Sequence, residues 1–202
     1  LPSPTATATG TPPSGSLALP RGWPEIYPDL SRSKLSLHVS PNRDAYIMDF
    51  VRRVHPRLIK AVGDTGWLAE VKQASPGTVI VARLSEFDQG WIALKDPVTA
   101  ARDYIAINIE SYRLNPFVDF WEGPNEFNSA SADEWKWFAQ FEAARACLMW
   151  AQGLRAAVGG FSPGTPEFDK MALFLPALEA AYRCGGIFTL HEGASAIPGC
   201  GV

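Results

Sequence analysis

Three cysteines in 202 residues are too few to build a disulfide scaffold, and the odd number leaves at least one thiol unpaired within the chain. Basic residues are not in excess: 18 Lys and Arg stand against 21 Asp and Glu, a formal charge of −3. That balance leaves no electrostatic footprint for nucleic acid or an anionic membrane. No apolar run approaches ~18 residues, which excludes a membrane-spanning helix. No G-x-G-x-x-G or Walker A loop occurs, so a nucleotide-binding doubly wound fold lacks its usual mark. The chain starts at Leu1 with neither Met nor a signal-type apolar stretch, so any targeting segment is expected to be removed or not included. What is present is ample core material: 47% of the residues are hydrophobic, 11% aromatic and only 19% charged. That is too apolar for a disordered protein and enough for one domain of moderate size.

Proline and glycine are unevenly spread. Leu1 to Ser16 reads LPSPTATATGTPPSGS, a composition that buries too little apolar surface to offset the entropy of ordering. Residues 1–22 are therefore expected to be a linker or tail, and residues 23–202 the folded domain. From Lys34 onward, short apolar runs alternate with stretches of helical spacing. The runs are Lys34–Ser40, Arg57–Gly63, Thr78–Leu84, Val118–Trp121, Arg155–Gly159 and Gly186–Leu190. Helices are predicted over 43–54, around Trp67 to Val71, over 97–114, 132–153 and 167–182. Ser131-Ala-Asp-Glu134 has the form of a capping box, in which Ser and Glu satisfy each other's free N–H groups.

Six strand–helix steps imply a parallel α/β sheet, because each crossover returns the chain to the same end. An open doubly wound sheet and a (β/α)8 TIM-type barrel both fit. The barrel is favoured because chemically able residues fall at every strand end: His38 and Ser40, Asp64, Arg83 and Glu86, Asn125 and Glu126, Ser162, then His191 and Glu192. About six of the eight βα units are expected in this chain. The barrel would then be incomplete at its C-terminal side, with open edges to be completed by a missing segment or a second chain.

Val118-Asp-Phe-Trp-Glu-Gly-Pro-Asn-Glu126 resembles the end of the fourth strand in the clan A retaining glycoside hydrolases. The resemblance spans Lys34 to about Gly193. It implies that Glu126 is the general acid/base and that Asn125 binds the 2-hydroxyl of a sugar. It also implies that His191, at the sixth strand end, lies near the substrate. Two departures accompany it. The family usually has Pro after the acid/base, where this chain has Phe127. Its nucleophilic Glu ends a seventh strand, so the nucleophile is expected beyond Val202, with Glu192 the weaker candidate within the sequence. Retention needs two carboxyl groups ~5–5.5 Å apart, one donating a proton and the other attacking. Glu126 as acid would need its proton affinity raised, for which Trp121 and Phe127 are expected to supply apolar walls. Glu122 is expected to support the site rather than react.

Asp64, Glu86, Glu126 and Glu192 are hard oxygen ligands, yet no His-x-His pair or dense Asp cluster accompanies them, and no metal or other cofactor is expected. A serine hydrolase is set aside, with Ser162 in Phe-Ser-Pro-Gly read as a turn. His38 and His191 are either substrate contacts or structural residues, and Trp91 is either a stacking platform for a sugar or a packing residue. Trp67 is expected to pack. Arg83, inside an apolar strand, needs a carboxylate partner, for which Glu126 or the missing nucleophile would serve. Cys184 and Cys200 are expected to pair if the protein is exported, leaving Cys147 buried and reduced. The expected function is a secreted or cell-surface hydrolase of a β-linked oligo- or polysaccharide. The alternative is a degenerate glycan-binding or structural barrel protein.

Overall fold

A computed structural model describes residues 29–40, 44–84 and 95–191. The expected linker at 1–22 lies outside the described residues, as do Glu86, Phe87, Trp91, Glu192 and Cys200. Strands and helices alternate along the chain: β1 (Leu37–Val39), α1 (Ala45–Val54), β2 (Leu58–Val62), α2 (Leu68–Ala74), β3 (Val79–Arg83), α3 (Pro97–Leu114), β4 (Phe120–Glu122), α4 (Ala132–Trp150), β5 (Ala156–Phe161), α5 (Phe168–Arg183) and β6 (Ile187–Leu190). All strand pairs are parallel, in the order β1-β2-β3-β4-β5-β6. No described helix is long and apolar enough to cross a membrane.

Local chemistry sets the helix starts. Asp44 and Asp96 accept from Tyr46 N (2.9 Å) and Thr99 N (3.0 Å), and Pro97 supplies the fixed φ of a first helical residue. At α4 half of the expected capping box forms: Ser131 Oγ accepts from Glu134 N at 3.3 Å. Glu134 does not return the bond. Its carboxylate accepts instead from Ser129 Oγ, and that hydroxyl accepts the Ser131 N–H.

Strand alternation sorts the side chains onto two faces. Ile59, Ala61, Ile80, Ala82, Trp121, Ala156, Val158 and Phe161 join the helices in the main core. The opposite face carries a small apolar cluster of Val79, Val81, Phe120 and Ala157, with Leu58 and Ile187 against it. Register then puts His38, Lys60, Arg83 and Glu122 on that second face as well, because His38 pairs with Lys60, Lys60 with Val81, and Glu122 with Ala157. This face is concave. Lys60 on β2 and His191 after β6 are four strands apart, ~19 Å in a flat sheet at ~4.8 Å per strand. Their side-chain nitrogens meet at 2.5 Å. The six strands therefore curl into a half-barrel, with helices outside and a polar mouth at the C-terminal strand ends.

Beneath that mouth, on the helix side, lies a fully buried ion pair. Arg145 donates to Glu142 through Nη2 (2.7 Å) and Nε (3.2 Å), and to the carbonyls of Trp121 (3.1 Å) and Ala157 (2.7 Å). One guanidinium thus ties α4 to both β4 and β5, and charge-assisted bonds of this geometry are the strong kind.

The cysteine expectation is corrected. Cys147 and Cys184 form the disulfide, with Cα atoms 5.0 Å apart, so Cys147 is neither reduced nor unpartnered. The reason is tertiary: α4 and α5 pack side by side and bring together residues 37 apart in sequence. Strand β4 also departs from expectation. It starts at Phe120 and includes Glu122, because the Asp119 side chain is engaged by Ile80 N and Lys72 Nζ, each at 2.7 Å.

Candidate active site

Two backbone bonds from the end of β5 frame the mouth. Gly160 O accepts from Glu126 N, and Phe161 O accepts from His191 N, each at 2.9 Å. Successive carbonyls of a strand point to opposite neighbours, so β5 fixes the loop after β4 on one side and the end of β6 on the other. Glu126 takes up the bond in a left-handed conformation, φ 52°. A non-glycine residue there is uncommon and persists only where its surroundings hold it. Gly160 also has φ 61°, and a Cβ on it would lie 3.2 Å from the Glu122 carboxyl carbon.

Side chains complete the site. His191 Nδ1 lies 3.0 Å from Glu126 Oε1, and Nε2 faces both oxygens of Glu122 at 3.3 Å. Lys60 Nζ donates to Glu122 at 2.9 Å (Oε1) and 2.7 Å (Oε2), and reaches His191 Nε2. Arg83 Nε stands 3.9 Å from Glu122 Oε2, and the His38 and His191 ring centres are 6.4 Å apart. Glu122 is the centre, 1% exposed, with Lys60, Arg83 and His191 each at 13%. Glu126 is the accessible acid, at 42%.

The electrostatics follow from this crowding. Burial alone would push the Glu122 carboxyl up, but opposing causes, above all the Lys60 charge and hydrogen bond, outweigh it and hold Glu122 below the usual carboxylate range. Burial lowers the Lys60 ammonium, while the Glu122 charge opposes that. His38 is lowered by burial first and then by the charge of Lys60, which favours its neutral form.

The structure brings together four of the residues singled out in the sequence, Glu126, His191, Arg83 and His38, at one mouth. Asn125 is exposed beside them. Trp91 and Glu192 lie outside the described residues. Arg83 meets Glu122, not Glu126, because register sets Arg83 and Glu122 on the same concave face. The walls expected from Trp121 and Phe127 are elsewhere. Trp121 faces the helices against Tyr112, and Phe127 stacks on Phe138 at 4.1 Å and meets Trp135 edge-on. Trp67 is buried, as packing requires. Asp64 Oδ1 accepts from Gly66 N in the turn after β2.

The residue passed over is Lys60. A lysine at the centre of Leu58-Ile-Lys-Ala-Val62 is as anomalous as Arg83 in its strand, and the same buried-charge argument would have found it. A second oversight is a spacing: Gly160-Phe161-Ser162-Pro163-Gly164 has the G-x-S-x-G form of a nucleophile elbow. An elbow turns directly from strand to helix. Here Ser162 O instead accepts from Thr165 N in a turn, α5 starts at Phe168, and the His191 nitrogens face Glu126, Glu122 and Lys60.

The chain matches no protein-family model, no curated protein and no solved structure.

Proposed function

We propose that the protein is a retaining glycoside hydrolase acting on a β-linked glycan, on a (β/α)8 barrel to which these six strands belong. Glu126 is its general acid/base. The observation that carries this reading is the placement of Glu126: an accessible carboxyl held in a left-handed turn at the C-terminal mouth, bonded to an imidazole that itself rests on a buried acid. Active sites of barrels gather at that end. Resemblance of Trp121-Glu-Gly-Pro-Asn-Glu126 to the clan A fourth strand supports the same assignment.

In the proposed reaction Glu126 protonates the departing glycosidic oxygen while a second carboxylate attacks the anomeric carbon. Glu126 then takes a proton from the water that releases the glycosyl intermediate. Glu122 is unsuited to attack, being 1% exposed and bound through both oxygens to Lys60. Glu192, one residue past His191, is the candidate within this sequence, and a carboxylate outside these 202 residues is the other. Asn125 is assigned to the 2-hydroxyl, and His38, Arg83, His191 and Trp91 to the sugar's surroundings. An extracellular or cell-surface location is supported by the Cys147–Cys184 bond, since such bonds persist in oxidising compartments.

A second reading is a glycan-binding barrel without turnover. It is favoured by one fact: the buried acid nearest Glu126 across the imidazole, Glu122, is locked through both oxygens to Lys60. Reducing-sugar release on β-glucans, xylans and mannans separates the two, with Glu126→Gln alongside. Hydrolysis that falls on the order of 10²–10⁴-fold in the variant is expected of a lost general acid. Equal activity in both proteins would remove Glu126 from the chemistry, and saturable binding without hydrolysis would select the second reading.

A further inference from the structure

Donor and acceptor counting at His191 goes further than the pairwise distances. Lys60 Nζ lies within hydrogen-bond reach of three atoms: Glu122 Oε1 (2.9 Å), Glu122 Oε2 (2.7 Å) and His191 Nε2 (2.5 Å). An ionised carboxylate that is 1% exposed needs a cation against it, so Lys60 is the ammonium form. An ammonium has three protons to donate and no lone pair to accept with. His191 Nε2 must therefore be the acceptor, and it carries no hydrogen. The neutral ring then holds its proton on Nδ1, where it points at Glu126 Oε1, 3.0 Å away. On this count the 3.3 Å approaches of Nε2 to the Glu122 oxygens are proximity, not hydrogen bonds.

We propose that Lys60, anchored by Glu122, is a positioning residue that fixes the Nδ1–H tautomer of His191, and through it the orientation of Glu126. A single directed donor occupies Oε1 of Glu126, so Oε2 is the oxygen left to carry and deliver a proton. The second half of this inference rests on the reading of Glu126 as a proton donor; the tautomer does not. Among the described residues, the groups facing the imidazole are His38 from β1, Lys60 from β2, Arg83 from β3, and Glu122 and Glu126 from β4 and the loop after it. Among the described residues, only Lys60 and the two glutamates are within hydrogen-bond distance of its nitrogens.

Nitrogen-15 NMR of the ring nitrogens, on the full chain, tests the tautomer without any substrate. There are three histidines, and His191→Gln identifies the signals of this one. The expected spectrum has a protonated Nδ1 and a bare Nε2 at neutral pH. A proton on Nε2 in the unmodified protein would overturn the proposal, whatever the variants do. In Lys60→Met the ring loses its donor, and the proton is expected to move to Nε2, facing Glu122; an unchanged tautomer in that folded variant would also overturn it. Where the protein hydrolyses a glycan, Lys60→Met is expected to lower kcat on the order of tenfold or more with little change in KM, because orientation of the acid is lost. Loss in KM alone would overturn the positioning role. If the wild type shows no hydrolysis while the NMR gives the Nδ1–H form, the glycosidase reading fails and the tautomer assignment stands.

Discussion

Two buried acids in this chain are handled in opposite ways. Glu142, on the helix side of β4 and β5, is matched to Arg145, and that guanidinium gives its remaining donors to backbone carbonyls of both strands and to the Met149 sulfur. Glu122, on the concave side, faces Lys60, His191 and Arg83, and two of the Arg83 nitrogens find no hydrogen-bond partner among the described residues. The first cluster is a closed account of donors and acceptors, shut off from water at 0% and 1% exposure. The second keeps more cationic capacity than one carboxylate absorbs, and it opens toward Glu126 at the mouth. A closed cluster serves the fold. An open one, bordered by an accessible acid, is what a reacting site needs.

Breaking each cluster separately should expose the difference. Arg145→Met strands the Glu142 carboxylate in the core and removes the tie between α4, β4 and β5. A loss of about 3–5 kcal/mol is expected by urea unfolding, as for other buried pairs deprived of one partner. Lys60→Met leaves Glu122 beside Arg83 and near the open mouth, so its cost should be clearly smaller. If the two variants lose equal stability, the contrast between a structural and a functional cluster is wrong.

Glycines beneath the two acids give a finer comparison. Gly123 lies against the helix-side pair: an added Cβ would sit 2.5 Å from Glu142 Oε1 and 2.8 Å from Arg145 Nη2. Both atoms are held by buried bonds, so Gly123→Ala is expected to cost about 2–3 kcal/mol through overpacking. Gly160 lies against the concave cluster less tightly, the nearest contact being the Glu122 carboxyl carbon at 3.2 Å, and φ 61° adds its own penalty. Gly160→Ala should cost about 1–2 kcal/mol. It should also disturb the carbonyl that holds Glu126, lowering the proposed hydrolysis per folded molecule more than Gly123→Ala does. Thermal unfolding beside specific activity separates these outcomes, and a reversed order in either would exchange the roles of the two faces.

How much of this was legible in the residues depends on the range of the interactions. Helix α3 is marked at its start by Asp96 and Pro97, adjacent residues whose effect is local, and Pro97–Leu114 follows from them. Thr78-Val-Ile-Val-Ala announces β3 by apolar character alone. The end of β4 is different. Glu122 disfavours a strand by composition, and what stabilises it there is Lys60, 62 residues earlier, brought close by sheet curvature that no local pattern encodes. The same holds for Cys147 and Cys184, whose pairing is decided by how α4 and α5 pack. Polar residues at strand ends were visible individually. That His191 would join Glu122 and Glu126 depended on two successive carbonyls of β5, extended two residues past its expected end.

The smallest expected effect concerns acid. His38 has a folded-state pKa below its ordinary value of 6.5, so on acidification the unfolded chain takes up its proton first, and stability falls as pH drops from about 6.5 toward the folded value. Glu122, held below 4.5, acts in the same direction at lower pH: its contribution is full above 4.5 and is lost as pH falls through the folded-state value. Both groups belong to the concave cluster, so the protein should lose stability in two steps as acid is added, with the upper step shallow because His38 is largely in contact with water. His38→Gln removes the upper step and leaves the lower one. Melting temperatures of both proteins from pH 7.5 down to about pH 2 read this directly. Identical profiles would mean that the upper step has another source, and that neither burial nor the Lys60 charge lowers the imidazole at position 38.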